Sequence, residues 1–427
     1  MSAAVIFGIL LALMLTGMPI SISLGLTVLT FLFTMTQVPL ESVALKLFTG
    51  IEKFEIMAIP FFILAGNFLT HGGVARRMIN FATSMVGHWY GGLGLSGVMA
   101  CALFAAVSGS SPATVVAIGS ILLPGMVKAG FPMRFGAGVI STSGALGILI
   151  PPSIVMVMYS VATNTSVGSL FMAGVMPGLL LASMLGAVTW YRARKFNYPR
   201  QAKASFVERF RAFRESFWGL FLIVVVMGGI YTGIFTPTEA AAMSAVYACF
   251  VAVFVYKDLG IKDIPKVLLN SANMSAMLLY IITNAVMFSF ILTNENIPQL
   301  LASWMLAKGF GVIAFLLAVN LLLLAAGNFM EPSSIMLIFA PILFPVAIKL
   351  GIDPVHFGIM MTVNMEVGMC HPPVGLNLYV ASGITKMGIT DLTVAVWPWL
   401  LTMLIFLGLV TYWPTMSLWL PKTLGMM

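Results

Sequence analysis

Four short clusters hold the residue types that could do chemistry. They are Ser108-Gly109-Ser110-Ser111-Pro112, Gly144 to Pro152 (GALGILIPP), Gly327-Asn328 with Glu331-Pro332, and Gly368 to Pro373 (GMCHPP). All four interrupt apolar runs. A proline removes a backbone donor and clashes with the preceding turn. Two adjacent prolines therefore break a helix and free the carbonyls about one turn before them. Inside hydrocarbon an unpaired peptide group costs several kcal/mol, so such clusters survive only where protein or a polar cavity satisfies them. Free carbonyls and serine hydroxyls make a hard oxygen cage, the ligand type expected for Na⁺. Helix N-termini facing the same gap favour an anion. The alternative is that these breaks only shape helix packing.

No Arg or Lys falls in these segments. An anion held there must use hydroxyl and amide donors, helix dipoles and a bound cation. The candidate donors for substrate are Thr142, Ser143, Asn364 and Asn377. Asn284, in a separate apolar run, is a candidate for packing or for the site. Ionisable residues inside a membrane are functional suspects. Glu331 lies at a cluster, Glu366 two residues before Gly368, and His371 before Pro372-Pro373. Glu239 closes Thr236-Pro237-Thr238-Glu239, which predicts a helix start with Thr236 as cap and Glu239 completing a capping box.

Gly94-Leu95-Ser96-Gly97 fits the GxSG pattern of an intramembrane serine protease, the reading from a different functional class. Nothing in the spacing sets His71 or His88 against Ser96 as a base. A serine in a glycine-rich span more often lets helices pack closely. Cys101, Cys249 and Cys370 have no metal or redox spacing. No GxxxxGK[ST] string occurs, so the chain is not its own ATPase.

The elements that must hold these clusters are membrane helices. Of 427 residues 60% are apolar and 8% charged, against about 25% charged in soluble domains. That excludes a soluble enzyme, a nucleic-acid-binding module and a disordered chain. At roughly 20 residues per crossing, the apolar content allows at most about 12 spans. The first apolar run, Ser2 to Thr16, lacks a basic flank and reads as a retained span rather than a leader. Eight of the 21 basic residues lie between Arg192 and Arg214. Such a concentration marks a cytoplasmic loop and contact with membrane lipid, not nucleic acid. Phe206, Phe210, Phe213 and Phe217 recur there at helical spacing opposite Arg209, Arg211 and Arg214, which predicts an amphipathic helix on the interface.

The clusters are duplicated. Pro112 matches Pro332, Pro124 matches Pro345, Gly130 matches Gly351, Gly147 matches Gly368, and Pro151-Pro152 matches Pro372-Pro373. The offset stays at 220 to 221 residues throughout. Low complexity explains matched leucines but not matched proline pairs. The expected organisation is a repeat at 1–190, a basic amphipathic linker at 191–216 and a second repeat at 217–427. With an odd number of crossings each, the copies are inverted. The predicted fold class is an all-α polytopic membrane protein with two inverted repeats, re-entrant hairpins and broken helices.

Six segments carry a family resemblance: IPFFILAGNFLTHGGVARRMINF (59–81), FAAVSGSSPATVVAIGSILLP (104–124), SGALGILIPPSIVMVMY (143–159), GGIYTGIFTPTEAAA (228–242), ILTNENIPQ (291–299) and GNFMEPSSIMLIFAPILFP (327–345). Over essentially the whole chain the sequence resembles the large membrane subunit of tripartite ATP-independent periplasmic (TRAP) transporters, most closely the DctM-like C4-dicarboxylate branch. The resemblance implies an elevator-type importer of organic anions in a bacterial inner membrane, driven by a Na⁺ gradient. It implies a small four-helix membrane subunit (DctQ-like) and a periplasmic substrate-binding protein (DctP-like) as partners. It implies one Na⁺ site at Ser108, Ser110, Gly147, Ile150 and Pro152, and a second at Gly327, Gly368, His371 and Pro373. A stand-alone Na⁺/anion symporter or channel is the remaining transport alternative.

Overall fold

The computed structural model describes residues 2–36, 38–328, 330–372 and 375–426. Among these residues there are helices and turns and no strand. The first half runs α1 (Ser2–Leu15), α2 (Ile20–Met35), α3 (Leu40–Thr49), α4 (Ala58–His71), α5 (Val74–Val86), α6 (Gly92–Ser108), α7 (Ser111–Lys128), α8 (Met133–Ser143), α9 (Ile154–Thr163) and α10 (Val167–Lys195). The second half runs α11 (Phe206–Tyr231), α12 (Pro237–Phe250), α13 (Ile264–Asn294), α14 (Ile297–Ala307), α15 (Val312–Gly327), α16 (Pro332–Lys349), α17 (Pro354–Cys370), α18 (Leu376–Thr385), α19 (Ile389–Tyr412) and α20 (Thr415–Thr423).

Among the described residues, eight helices are long and apolar enough to cross a membrane. Others are too short to cross alone, and the sequence says why. α6 stops because Gly109 turns into the left-handed region at φ +60°. α7 then starts with Pro112 in its first turn, so α6 and α7 form a hairpin. α15 and α16 are the corresponding helices of the second half. α8 passes into a 3₁₀ turn at Gly144–Ile148, and Pro151-Pro152 separates it from α9. α17 stops at Cys370, and α18 resumes at Leu376.

The packing sorts the helices into two bundles. α4 packs on α12, α2 on α13, and α11 on α12, which gives a frame bundle. α7 packs on α18, α9 on α16, α8 on α19, and α10 on α17, which gives a hairpin bundle. α5 belongs to the frame, because Arg76 and Arg77 in its first turn pair with Asp258 beyond α12. The contacts come in exchanged pairs: α4 on α12 answers α2 on α13, and α7 on α18 answers α9 on α16. A two-fold relation between two copies produces that exchange.

The basic segment differs from the sequence expectation. Phe206 to Glu215 do not form a separate interfacial helix. They are the first turns of the 26-residue α11, opened by a capping box between Ser205 and Glu208. At 1.5 Å per residue that helix is about 39 Å long, so its aromatic and basic turns overhang an apolar layer of about 30 Å.

Candidate functional site

The first hairpin tip is held by backbone contact. A Cβ on Gly147 would lie 2.6 Å from the Ser110 carbonyl oxygen and 2.8 Å from the Ser111 nitrogen. One on Gly109 would lie 2.9 Å from the Pro152 carbonyl oxygen. The Ser108 hydroxyl lies 2.9 Å from that of Thr114 and 3.3 Å from the Ser110 carbonyl. Ser108, Ser110, Gly147 and Pro152 thus share one contact zone. The Ile150 side chain turns away from it, onto Gly178 of α10.

The second tip is built alike with different side chains. Gly327 and Gly368 meet face to face, each so close that a Cβ would lie about 3 Å from the other's Cα (3.0 and 3.1 Å). His371 Nδ1 lies 2.9 Å from Asn328 Oδ1. Pro373 falls outside the described residues. Glu331 caps α16, its Oε1 accepting from the Ser334 amide and hydroxyl at 3.2 Å. At the first tip Ser110 flanks α7 without capping it.

Both tips open on one cavity of about 500 Å³. Its walls include Ser110 and Ser111 at the start of α7, Pro332 and Ser333 at the start of α16, and Ile148, Ile154, Met369 and Leu376 beside the two helix breaks. Two helix N-termini therefore present their positive ends to a single space. Asn67, Thr70 and His71 of α4 face it from the frame bundle, with Met274 and Met277 of α13. No Lys or Arg is among the residues lining it. Glu331 is also among the lining residues, so the cavity sets a carboxylate beside the two positive helix ends.

The four predicted substrate donors do not line this cavity. The Thr142 hydroxyl donates to Gly138 in its own helix, at 2.8 Å. Ser143 is buried and its hydroxyl has no partner among the described residues. Asn364 donates to the carbonyl and the side chain of Asn320 on α15, at 3.0 and 2.9 Å. Asn377 comes nearest. Its amide donates to the Ser111 hydroxyl at 2.8 Å and to the Ser141 carbonyl at 3.1 Å, so it braces a residue of the cavity wall. Sequence reasoning missed Asn67, Thr70 and His71. Their signal was available: three polar residues at i, i+3 and i+4 on one face of an otherwise apolar helix.

Most of the other singled-out residues have structural explanations, and Glu366 does not. Thr236 and Glu239 form the capping box at the start of α12. Ser96 is buried and donates to Gly92 one turn back, at 2.7 Å, while His71 Nδ1 is engaged by the Asn67 carbonyl. The glycines beside Ser96 abut Phe135, Thr189, Leu122 and Ile140, so the GxSG string is a packing seam. The Asn284 side chain lies against Gly25 of α2. Glu366 is fully buried, and neither oxygen has a partner among the described residues.

A helical membrane bundle whose two hairpin tips and two broken helices converge on one cavity is built as a solute transporter. Comparison with known proteins fixes the family. Residues 7–416 match the family described as "Tripartite ATP-independent periplasmic transporter, DctM component". The chain is 77% identical over 440 residues to the C4-dicarboxylate TRAP transporter large permease protein DctM of Rhodobacter capsulatus, covering 100% of each chain. It is 41% identical to the isethionate TRAP transporter permease protein DctMQ of Oleidesulfovibrio alaskensis, over 97% of this chain and 65% of that one. The chain belongs to the DctM family and is a large permease component of a TRAP transporter. Among solved structures, the Alcanivorax borkumensis YdaH transporter shares the fold with a TM-score of 0.62 at 17% identity, over 88% of each chain.

Proposed function

We propose that this permease imports C4-dicarboxylates, coupled to Na⁺, by moving its hairpin bundle against its frame bundle. The observation that carries the reading is the single cavity faced by two helix N-termini and lined without lysine or arginine. Such a site meets a carboxylate with amide and hydroxyl donors, and a bound cation would supply the missing positive charge. The residues at the first tip suit a cation. Gly147 lets the backbone of Ser110 and Ser111 approach closely, and the carbonyl oxygens of Ser110 and Pro152 are among the atoms nearest the glycines there. No cluster of three or more His, Cys, Asp or Glu occurs among the described residues, so the ligands would be carbonyls and hydroxyls. Ser108, Ser110, Gly147, Ile150 and Pro152 would hold one ion. Gly327, Gly368, His371 and Pro373 would hold the other.

The substrate class follows the name of the full-length relative at 77% identity. The halves 1–190 and 217–427 act as inverted repeats, with the basic stretch between them on the cytoplasmic side of the inner membrane. The partners are a small DctQ-like membrane subunit and a DctP-like periplasmic binding protein. A relative whose printed name is DctMQ supports the first of these. Uptake of labelled succinate into proteoliposomes holding both membrane subunits tests the proposal. Uptake should require the binding protein and an inward Na⁺ gradient. Uptake that ignores Na⁺ would refute the coupling, and uptake without partners would favour a stand-alone carrier.

A further inference from the structure

Movement of one bundle against the other requires an interface that can slide. Most of that interface qualifies. α4 and α5 meet α6, and α13 and α14 meet α16, with close backbone approaches such as Gly66 against Ser108. Apolar contact is non-directional and survives a change of register. A directional hydrogen bond does not, because its angle and distance fit one position.

Among the described residues, one side chain makes hydrogen bonds from bundle to bundle. Lys53 precedes α4 in the frame, and its neighbour Phe54 is fixed there by the Thr238 hydroxyl of α12, at 3.2 Å. The Lys53 ammonium reaches across to the end of α9. It donates to the Val161 carbonyl at 2.6 Å and to the Asn164 side chain at 2.8 Å. Val161 lies in the last turn of α9, where carbonyls have no partner within the helix. A cation is also favoured at that end of a helix. α9 is itself fixed in the hairpin bundle, since the Tyr159 hydroxyl donates to the Pro354 carbonyl at the start of α17, at 2.7 Å. The contact therefore joins two well-anchored points.

We propose that Lys53 is a latch. Its bond to the end of α9 holds the hairpin bundle in the position seen here and must break before that bundle moves. The inference rests on the moving-bundle reading above. Two cavities, of about 470 and 200 Å³, flank Lys53 on either side. The released side chain has space to swing into, and water has space to reach the vacated carbonyl.

The test is a distance measurement by electron paramagnetic resonance in the reconstituted complex. One spin label replaces exposed Met243 of α12 in the frame, and the other replaces exposed Leu179 of α10 in the hairpin bundle. Wild type should show two distance populations. Lys53→Met should deplete the one matching this structure about fivefold to tenfold, the effect of a charge-assisted bond. Asn164→Ala should shift the ratio the same way by less, and Lys53→Arg should restore it. Asn164→Ala also covers the case in which Lys53→Met does not fold. Two populations with an unchanged ratio in these variants would overturn the latch. A single distance in wild type and variants alike would overturn the movement, and the latch with it.

Discussion

Replacing Gly147 with alanine tests whether the first tip is a cation site or only a packing contact. The added Cβ would sit 2.6 Å from the Ser110 carbonyl oxygen, whereas ordinary contact begins at 3.4 Å. The tip must retreat by 3.4 − 2.6 = 0.8 Å, and the clashing atoms are backbone, so no side chain can swing aside. Ligand distances in metal sites tolerate about 0.2 Å. Overpacking of this kind costs about 1–3 kcal/mol. If that cost falls on ion binding, Na⁺ affinity drops about fivefold to 150-fold. Two assays report it: the Na⁺ concentration giving half-maximal uptake, and the thermal stabilisation of the purified protein by NaCl over KCl. Gly125→Ala, in α7, is the control, because nothing lies within 4 Å of its Cβ position. Gly368→Ala should do less, since its nearest neighbour, the Gly327 Cα, is 3.1 Å away. Gly147→Ala with unchanged half-saturation and unchanged stabilisation would refute the assignment of Ser110 and Gly147 to an ion site.

Asn377→Leu strands the Ser111 hydroxyl and leaves the Ser141 carbonyl only the weak Cys370 thiol donor at 3.3 Å. It should lower stability by about 1–3 kcal/mol, seen as a lower melting temperature, and weaken substrate affinity through the displaced cavity wall. Ser96→Ala removes a hydroxyl bonded only within its own helix; uptake should be unchanged, and its abolition would reopen the hydrolase reading. Alkaline pH should favour the latched position of Lys53. Burial holds the Lys53 ammonium below the usual lysine range, against an opposing pull from Glu55. The latched position carries the lowered pKa, so rising pH favours it over a released, solvated side chain, and the neutral amine still donates. The desolvation cost of the charged form disappears over the same window. Lys46, beside one of the flanking cavities, is the other charged group near Lys53. Wild type should drift toward the latched distance as pH rises, and Lys53→Met should show no such drift.

The broken helices and the duplication were legible because proline and glycine act locally. Gly109, Pro112, Gly147 and Pro151-Pro152 each dictate a backbone event whatever the surroundings, and the structure puts turns and breaks at those places. Which polar residue faces the cavity was not legible. α17 is buried on every side, so its sequence carries no contrast between a wet face and a dry one, and Asn364 turned out to serve the seam with α15. α4 does carry that contrast, and Asn67, Thr70 and His71 follow it. The amphipathic reading of Phe206 to Phe217 identified a real pattern but misjudged its end. Nothing after Phe217 interrupts a helix until Tyr231, so the interfacial turns and the span became one rod.

The two tips share backbone geometry but not charge, and that difference decides how an anion is met. Duplicated helix N-termini alone would offer two equal places for two carboxylates. At α7 the N-terminus is free, because the Ser110 side chain does not cap it. At α16 the corresponding place already holds a carboxylate, that of Glu331. A helix N-terminus worth about half a positive charge cannot serve its own glutamate and a substrate equally. On the proposed reading, the first carboxylate of a dicarboxylate would sit at α7, beside Ser110 and Ser111. The second must be met by the donors of α4 or by a co-bound cation. Glu331 makes the two N-termini unequal, and Glu331→Ala, which removes the cap and frees the second N-terminus, should raise affinity for dicarboxylates while leaving monocarboxylates unaffected. Equal effects on both in a competition assay would show that Glu331 does not face the bound anion.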